Sequence, residues 1–198
     1  MKAKRIILAS KSPRRKEILR MAGFDPIVKV SECDESKVTE KTPEKLVAIL
    51  SKMKAETVAA DCEPGDLIIA ADTIVSLDDK ILGKPKTKKE AFEMIKSISG
   101  RDHLVYTGVT LIYIKKNKVE TDTFVECTPV TVASMTNCEI HAYVDTGEPM
   151  DKAGGYGIQG SFGKFIPKVN GDAFSVAGLP LSRTYRHMRR IQGLHKEK

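Results

Sequence analysis

Residues 10–15 read Ser10-Lys11-Ser12-Pro13-Arg14-Arg15 and lie between an apolar run and a helical pattern. The run over 5–9 predicts a buried strand, and the apolar spacing over 18–22 predicts a helix that ends at the following glycine. Pro13 suits the first helical position, with Ser12 before it as the N-cap. The sequence therefore predicts a strand, a turn and a helix whose free N–H groups face outward.

This predicted helix start is rich in groups that bind anions. Free backbone amides, the positive end of the helix dipole and the forks of Arg14 and Arg15 all suit a polyanion. A capped helix with a basic, solvated first turn is the alternative, and the stretch alone leaves both interpretations open.

Composition indicates one domain over residues 1–198, large enough to bury a core. The first twenty residues hold eight Lys or Arg and one acid, and the last twenty hold six and one. Because the formal net charge is only +7, the middle of the chain is net acidic. Basic ends favour a phosphate-bearing partner, either a nucleotide or a nucleic acid.

The four cysteines lack the spacing of a zinc site, and no secretory signal is recognisable. Reduced thiols and a cytoplasmic location are therefore expected. No apolar run approaches 18 residues, so we expect no membrane-spanning segment.

Alternating strand and helix patterns predict an α/β fold. Strands are expected over 26–30, 67–71 and 74–75, 103–114, 119–133 and 162–169, with a hairpin near 116–118. Helices are expected over 43–60, 87–98, 136–146 and 181–191, a structureless loop over 148–160 and fraying over 193–198.

Acidic residues occur at two places that suit metal or proton chemistry. Asp34 and Glu35 lie in an acidic stretch after the second strand, which predicts either a divalent cation site or an exposed acidic loop. Asp72 interrupts a continuous apolar strand, where an unpaired carboxylate is costly. We therefore expect Asp72 to have a functional role, as a metal ligand or as a general base.

Lysines and a glycine-rich loop supply further candidates. Lys54 lies on the helix over 43–60, where either it or Lys52 could face a site. Lys84 lies between a glycine and a proline that fix its backbone, which makes it a candidate phosphate contact. The loop over 148–160 allows close approach to a ligand, and its Gln159 offers both a donor and an acceptor.

Taken together, these motifs resemble those of the Maf-like proteins. The resemblance extends over about residues 4–190 and includes the following stretches in family order: 10–15, 70–73, 83–85, 106–109, 148–160, 171–172 and 178–181. Residues 173–175, Ala-Phe-Ser, depart from the usual pattern, which leaves the C-terminal wall of the site unassigned.

The resemblance implies an enzyme that splits the α–β phosphate bond of nucleoside triphosphates and releases a nucleoside monophosphate and pyrophosphate. It further implies a divalent metal cation, Mg²⁺ or Mn²⁺, a cytoplasmic location and a homodimer. The implied fold is an elongated mixed sheet flanked by helices, with two lobes and a central cleft, similar to that of inosine triphosphate pyrophosphatases.

The resemblance also implies roles for individual residues. Asp72 matches the proposed proton acceptor, whereas Arg14, Thr73 and Gln159 match positions tied to substrate choice. Polar and acidic cleft positions match Ser10, Arg15, Lys54, Lys84 and Asp34. Charge on the leaving pyrophosphate could come from Arg14, Arg15, Lys54 and Lys84, and Asp34, Glu35 and Asp72 could share the metal.

The stretch over 156–160 resembles the branch that acts on dTTP and UTP, and an amide can match the imide edge of these bases. Modified pyrimidine nucleotides are possible further substrates. Hydrolysis of 7-methyl-GTP is an alternative, disfavoured by Gln159. A nucleic-acid-binding or nucleotide-binding regulator of cell division is a second alternative. The basic ends of the chain favour binding of nucleic acid, whereas the absence of an aromatic stacking platform disfavours it.

Overall fold

The computed structural model describes residues 2–194. The strands are β1 Arg5–Leu8, β2 Ile27–Val28, β3 Asp66–Leu77, β4 Lys80–Leu82, β5 Asp102–Ile114, β6 Val119–Thr131 and β7 Lys168–Val169. The helices are α1 Pro13–Met21, α2 Pro43–Ala59, α3 Lys88–Ile98, α4 Asn137–Asp145, α5 Ala173–Ala177 and α6 Leu181–Ile191. Short 3-10 turns cover Glu35–Lys37, Glu148–Asp151, Ala153–Gly155 and Ser161–Phe165.

All strands of the described chain belong to one mixed sheet. Its order is β2-β1-β3-β5-β6-β7, and β4 pairs with β3. β1 runs parallel to both β2 and β3, with Arg5 opposite Asp66, whereas β4 and β7 pair antiparallel to β3 and β6. Parallel pairs connected by helices are typical of α/β folds. The predicted α/β class with a mixed sheet is therefore confirmed.

The chain divides into two compact units. The first comprises residues 1–72, 107–126 and 178–198, and the second comprises residues 73–106 and 127–177. Each has its own buried apolar cluster. In the first unit, α2 packs Ala55 and Val58 against Ile7, Ile68 and Ile112 of the sheet.

In the second unit, α3 and α4 pack against each other and share a buried cluster with strand and loop residues. Ile95 and Ile98 of α3 join Val75, Val105 and Phe162 in this cluster, and all five side chains are almost fully buried. The predicted single domain with two lobes and a cleft stays a prediction.

Two helices begin at a proline, as the sequence predicts. Pro13 starts α1 after Ser12, and Pro43 starts α2 after Thr42. In neither case does the N-cap side chain accept a hydrogen bond from the helix. The Ser12 N–H instead donates to Ser10 Oγ at 3.1 Å. Ser12 and Thr42 therefore occupy the predicted N-cap position without the expected side-chain hydrogen bond.

Three local predictions were wrong. The predicted strand over 162–169 is a 3-10 turn followed by the two-residue β7, because the Gly163 N–H bonds to Gly160 O and turns the chain. The loop over 148–160 contains two 3-10 turns, and α5 was not anticipated. The interrupted strand over 67–75 is the continuous β3, with Asp72 and Thr73 as its only half-buried positions.

The other long elements agree with their predicted ranges. β5 and β6 form the expected hairpin, closed by a bond from Lys115 N to Lys118 O at 2.8 Å. No helix within residues 2–194 is long and apolar enough to cross a membrane. Part of the stretch predicted to fray, 195–198, lies outside the described residues.

Candidate active site

The turn between β1 and α1 is organised by the guanidinium of Arg15. Its Nη1 donates to Ser10 Oγ at 3.1 Å, and its Nε donates to the backbone oxygen of Gly178 at 2.9 Å. Ser10 is buried, and its hydroxyl also accepts the bond from Ser12 N. Arg15 therefore joins the start of α1 to the segment that leads into α6.

Electrostatics around Arg15 bring several candidate residues together. Burial lowers the pKa of Arg15, the negative charges of Asp72 and Glu35 raise it, and the neighbouring Arg14 lowers it further. An arginine remains a cation throughout the physiological range despite such a shift. The first turn of α1 contains no acid, and it places the Arg15 guanidinium where two carboxylates, those of Asp72 and Glu35, act on it.

Lys54 lies between two carboxylates. Its Nζ is 2.5 Å from Asp72 Oδ1 and 3.1 Å from Glu35 Oε1. The side chains of Lys54 and Asp72 are only 14% and 13% exposed, whereas that of Glu35 is half exposed. A half-buried ammonium between two carboxylates offsets the cost of placing Asp72 within a buried strand.

The position of Lys54 is set by close packing of α2 on β5. A Cβ atom at Gly108 would lie 2.3 Å from the backbone oxygen of Val47, so only a glycine admits the helix at this distance. One turn further on, the buried hydroxyls of Ser51 and Thr110 lie 3.0 Å apart. These contacts fix the turn of α2 that presents Lys54 to Asp72.

Sequence reasoning missed this supporting contact. Gly108 was noted only as part of a motif, and the match between Ser51 and Thr110 joins residues 59 positions apart. Lys52 and Lys54, either of which could face a site, have different partners in the structure. Lys54 contacts Asp72, whereas Lys52 pairs with Glu56 on the outer face of the same helix.

The three predicted metal ligands do not converge. Asp34 Oδ1 accepts bonds from the backbone N–H and hydroxyl of Ser36, and these bonds together with Lys37 lower the pKa of Asp34. Asp34 is therefore directed into its own loop. Within residues 2–194, no group of three or more His, Cys, Asp or Glu is placed to hold a metal ion.

Glu35 and Asp72 still provide oxygen ligands, since both contact the same ammonium. Mg²⁺ typically binds one or two carboxylates and completes its coordination with water and substrate phosphates. The pair fits such a cation if Lys54 moves aside. Asp34 does not join them in this conformation.

The remaining candidates belong to the second unit. Thr73 follows Asp72 on β3 and is half-buried. Lys84 is exposed after β4, and the neighbouring Gly83 accepts a bond from Gly154 N at 3.0 Å. Gln159 is exposed in the loop between two 3-10 turns. The structure thus brings together Ser10, Arg14, Arg15, Lys54, Asp72 and Glu35 within the first unit and leaves the roles of the other three as predictions.

A mixed α/β fold that carries a cationic helix start and lysine-bridged carboxylates defines a protein suited to anionic, phosphate-bearing ligands. The chain belongs to the Maf family, because the model of the Maf-like proteins matches residues 5–191.

Curated relatives match most of the chain. A dTTP/UTP pyrophosphatase of Lachnoclostridium phytofermentans is 46% identical over 188 residues, which cover 94% of each chain. A dTTP/UTP pyrophosphatase of a Geobacillus species is also 46% identical, over 95% of this chain and 98% of its own. Among solved structures, a nucleoside-triphosphatase described as a dITP/XTP pyrophosphatase from Mycobacterium abscessus covers 96% of both chains at 13% identity, with a TM-score of 0.45.

Proposed function

We propose that this protein is a nucleoside triphosphate pyrophosphatase that hydrolyses dTTP and UTP to the nucleoside monophosphate and pyrophosphate. The observation that carries the proposal is the cluster of Lys54, Asp72 and Glu35 beside Arg15. Cations that contact phosphate oxygens and a carboxylate that accepts a proton from water are the groups this hydrolysis requires. Relatives at 46% identity that are named for this activity support the choice of substrate.

Asp72 is the proposed general base. Its Oδ1 accepts a hydrogen bond from Lys54 Nζ, and its side chain is 13% exposed. A water molecule donates a proton to Asp72 while the oxygen of that water bonds to phosphorus, and the P–O bond of the α–β bridge breaks. The pyrophosphate leaves with that electron pair. Arg14, Arg15 and Lys54 bind the negative charge that collects on the phosphates, with Ser10 holding Arg15 in place.

A divalent cation, Mg²⁺ or Mn²⁺, is part of the proposal. Glu35 and Asp72 would hold it, and it would supply Lewis acidity to the phosphate oxygens. Asp34 would join only after its bonds to Ser36 break. When Glu35 and Asp72 hold the cation, Lys54 would exchange its contact with Glu35 for a contact with a phosphate of the substrate.

Substrate choice is assigned to Arg14 of the first unit and to Thr73 and Gln159 of the second unit. Gln159 would read the imide edge of uracil or thymine, with Thr73 as a second determinant and Lys84 as a phosphate contact. These roles rest on the family resemblance and on the exposure of Gln159 and Lys84. We further propose a homodimer in the cytoplasm, as the family implies. Four free cysteines accord with a reducing compartment.

The test is release of pyrophosphate from a panel of nucleoside triphosphates with Mg²⁺, Mn²⁺ or a chelator. Metal-dependent turnover of dTTP and UTP above GTP and 7-methyl-GTP is expected. Preference for 7-methyl-GTP would overturn the assigned substrate and the role of Gln159. No turnover of any triphosphate, together with salt-dependent binding of oligonucleotides, would identify a binding regulator instead.

A further inference from the structure

The carboxylate of Glu148 holds the far end of the loop that carries Gln159. Its Oε2 accepts bonds from the backbone N–H of Ser161 at 3.0 Å and from the Ser161 hydroxyl at 2.8 Å. Its Oε1 lies 3.3 Å from the hydroxyl of Tyr143. One side chain therefore joins the two ends of the segment 148–161.

Gly160 leaves the space that this carboxylate occupies. A Cβ atom at Gly160 would lie 1.9 Å from Glu148 Oε1 and 2.5 Å from its Cδ. The φ angle of Gly160 is −100°, which any residue can adopt. The backbone therefore does not require glycine at this position, whereas the close approach of Glu148 does.

Further contacts restrain the segment from within. Lys152 Nζ donates to the backbone oxygen of Glu148 and to Asp151 Oδ1, both at 2.7 Å. The Tyr143 hydroxyl also lies 3.2 Å from the backbone oxygen of Gly155. Burial, together with the charge of Glu148, raises the pKa of Tyr143, so its phenol stays protonated and can donate to either oxygen.

The chemistry of an amide explains why such restraint matters at Gln159. In one orientation the side chain complements the imide edge of uracil, with one donor and one acceptor. Rotated by half a turn, it complements the edge of cytosine equally well. A glutamine on a mobile loop would therefore discriminate poorly between UTP and CTP.

We propose that Glu148 is a positioning residue for base recognition, which fixes residues 157–161 and thereby the orientation of Gln159. The inference deepens the proposed function and rests on the role assigned there to Gln159. Glu148 itself need not touch the nucleotide. Its effect is expected in the choice between pyrimidines, because that choice depends on the geometry of the loop.

The experiment compares kcat/KM for UTP and CTP across matched variants. Glu148→Ala removes the carboxylate, and Gly160→Ala displaces it while leaving Glu148 in the chain. We expect the ratio of UTP to CTP to fall about tenfold in each. Glu148→Gln should retain the ratio, because its amide oxygen can accept from Ser161 and its NH₂ can donate to Tyr143.

A double variant tests whether the two positions act through one contact. Once Glu148 is alanine, the Cβ of Gly160→Ala has no carboxylate to displace, so Glu148→Ala/Gly160→Ala should be no worse than Glu148→Ala alone. Ser161→Ala provides a milder change, since it removes one of the two bonds to Oε2. Glu93→Ala, at an exposed position of α3, is the control for loss of a carboxylate.

The outcomes separate the two proposals. If the parent protein hydrolyses no triphosphate, the proposed function fails. If the parent prefers UTP and all folded variants keep that preference, the role of Glu148 fails alone. If kcat/KM falls by the same factor for UTP and for CTP, and Glu148→Gln does not restore it, the substitution loosens the site in general. That result would also overturn the role of Glu148. Amide hydrogen exchange at residues 157–161 should become faster in Glu148→Ala if the role is right.

Discussion

Lys54 Nζ lies 2.5 Å from Asp72 Oδ1, although the two residues come from different layers of the first unit. α2 supplies the ammonium and β3 supplies the carboxylate. The contact depends on how closely α2 approaches the sheet at Gly108. Substitutions at Asp72 and Lys54 therefore test the proposed chemistry, and a substitution at Gly108 tests the packing that supports it.

Asp72→Asn should abolish most turnover while nucleotide binding is retained. The amide keeps the size of the side chain but cannot accept the proton of water, so we expect kcat to fall about a hundredfold to ten-thousandfold. Pyrophosphate release measures kcat, and calorimetry with UTP and Ca²⁺ measures binding. Turnover at the parent rate would show that Asp72 is not the base.

Lys54→Met should lower kcat/KM about a hundredfold or more, because Asp72 and Glu35 lose the cation between them and the phosphates lose a contact. Lys52→Met is the matched control on the same helix. Its lysine pairs with the exposed Glu56, so kcat/KM should stay within about twofold of the parent value. Equal losses in the two variants would remove Lys54 from the site.

Gly108→Ala should destabilise the protein by about 1–3 kcal/mol, because the new Cβ meets the backbone oxygen of Val47 at 2.3 Å. Chemical denaturation measures the free energy of unfolding. Gly83→Ala serves as the stability control, since nothing lies within 4 Å of its Cβ position. If Gly108→Ala is as stable as the parent, α2 can move away from β5 without loss of stability, and the close packing at Gly108 is not required.

Stability should fall between pH 6.5 and pH 4 because of His103. This side chain is 3% exposed, its Nε2 lies 2.6 Å from the Tyr156 hydroxyl, and burial lowers its pKa to about 4. The unfolded chain binds a proton near pH 6.5 and the folded chain does not, so the contribution of neutral His103 is complete above pH 6.5 and is lost as the pH falls. The full loss approaches about 3 kcal/mol.

His103→Gln removes this titration and isolates it by difference. Burial also lowers the pKa of His187, and Arg5 lowers the pKa of Asp66, but both groups remain in the variant. Denaturation from pH 7.5 to 4 measures the free energy of unfolding of the parent and of the variant. Below pH 6.5 this free energy should fall more steeply with decreasing pH in the parent than in His103→Gln. Parallel curves would contradict the assignment to His103.

Local sequence signals were sufficient to predict the starts of two helices and to single out Asp72 as a carboxylate that needs a partner. Pro13 and Pro43 mark helix starts because their rings fix the backbone and lack a donor, and a carboxylate within an apolar strand indicates a partner. Which partner it has was not readable, because Lys54 and Lys52 differ only in the face of α2 they occupy.

Contacts between distant residues account for what the sequence did not reveal. The run from Phe162 to Val169 is apolar enough for a strand, yet Gly163 turns the chain through a bond to Gly160. Short apolar runs are ambiguous in this way. The approach of Glu148 to Ser161 spans 13 residues, and no local pattern distinguishes that carboxylate from a solvated one.

The division of the chain into units has a consequence for how the molecule can be dissected. The first unit draws on three separate segments and the second on two, and the boundaries pass through β3, β5 and β6 or beside α5. No single truncation yields either unit alone, so fragments ending near residue 72 or 126 should not fold independently. Assembly requires pairing between segments far apart along the chain, which is typical of slow, cooperative folding.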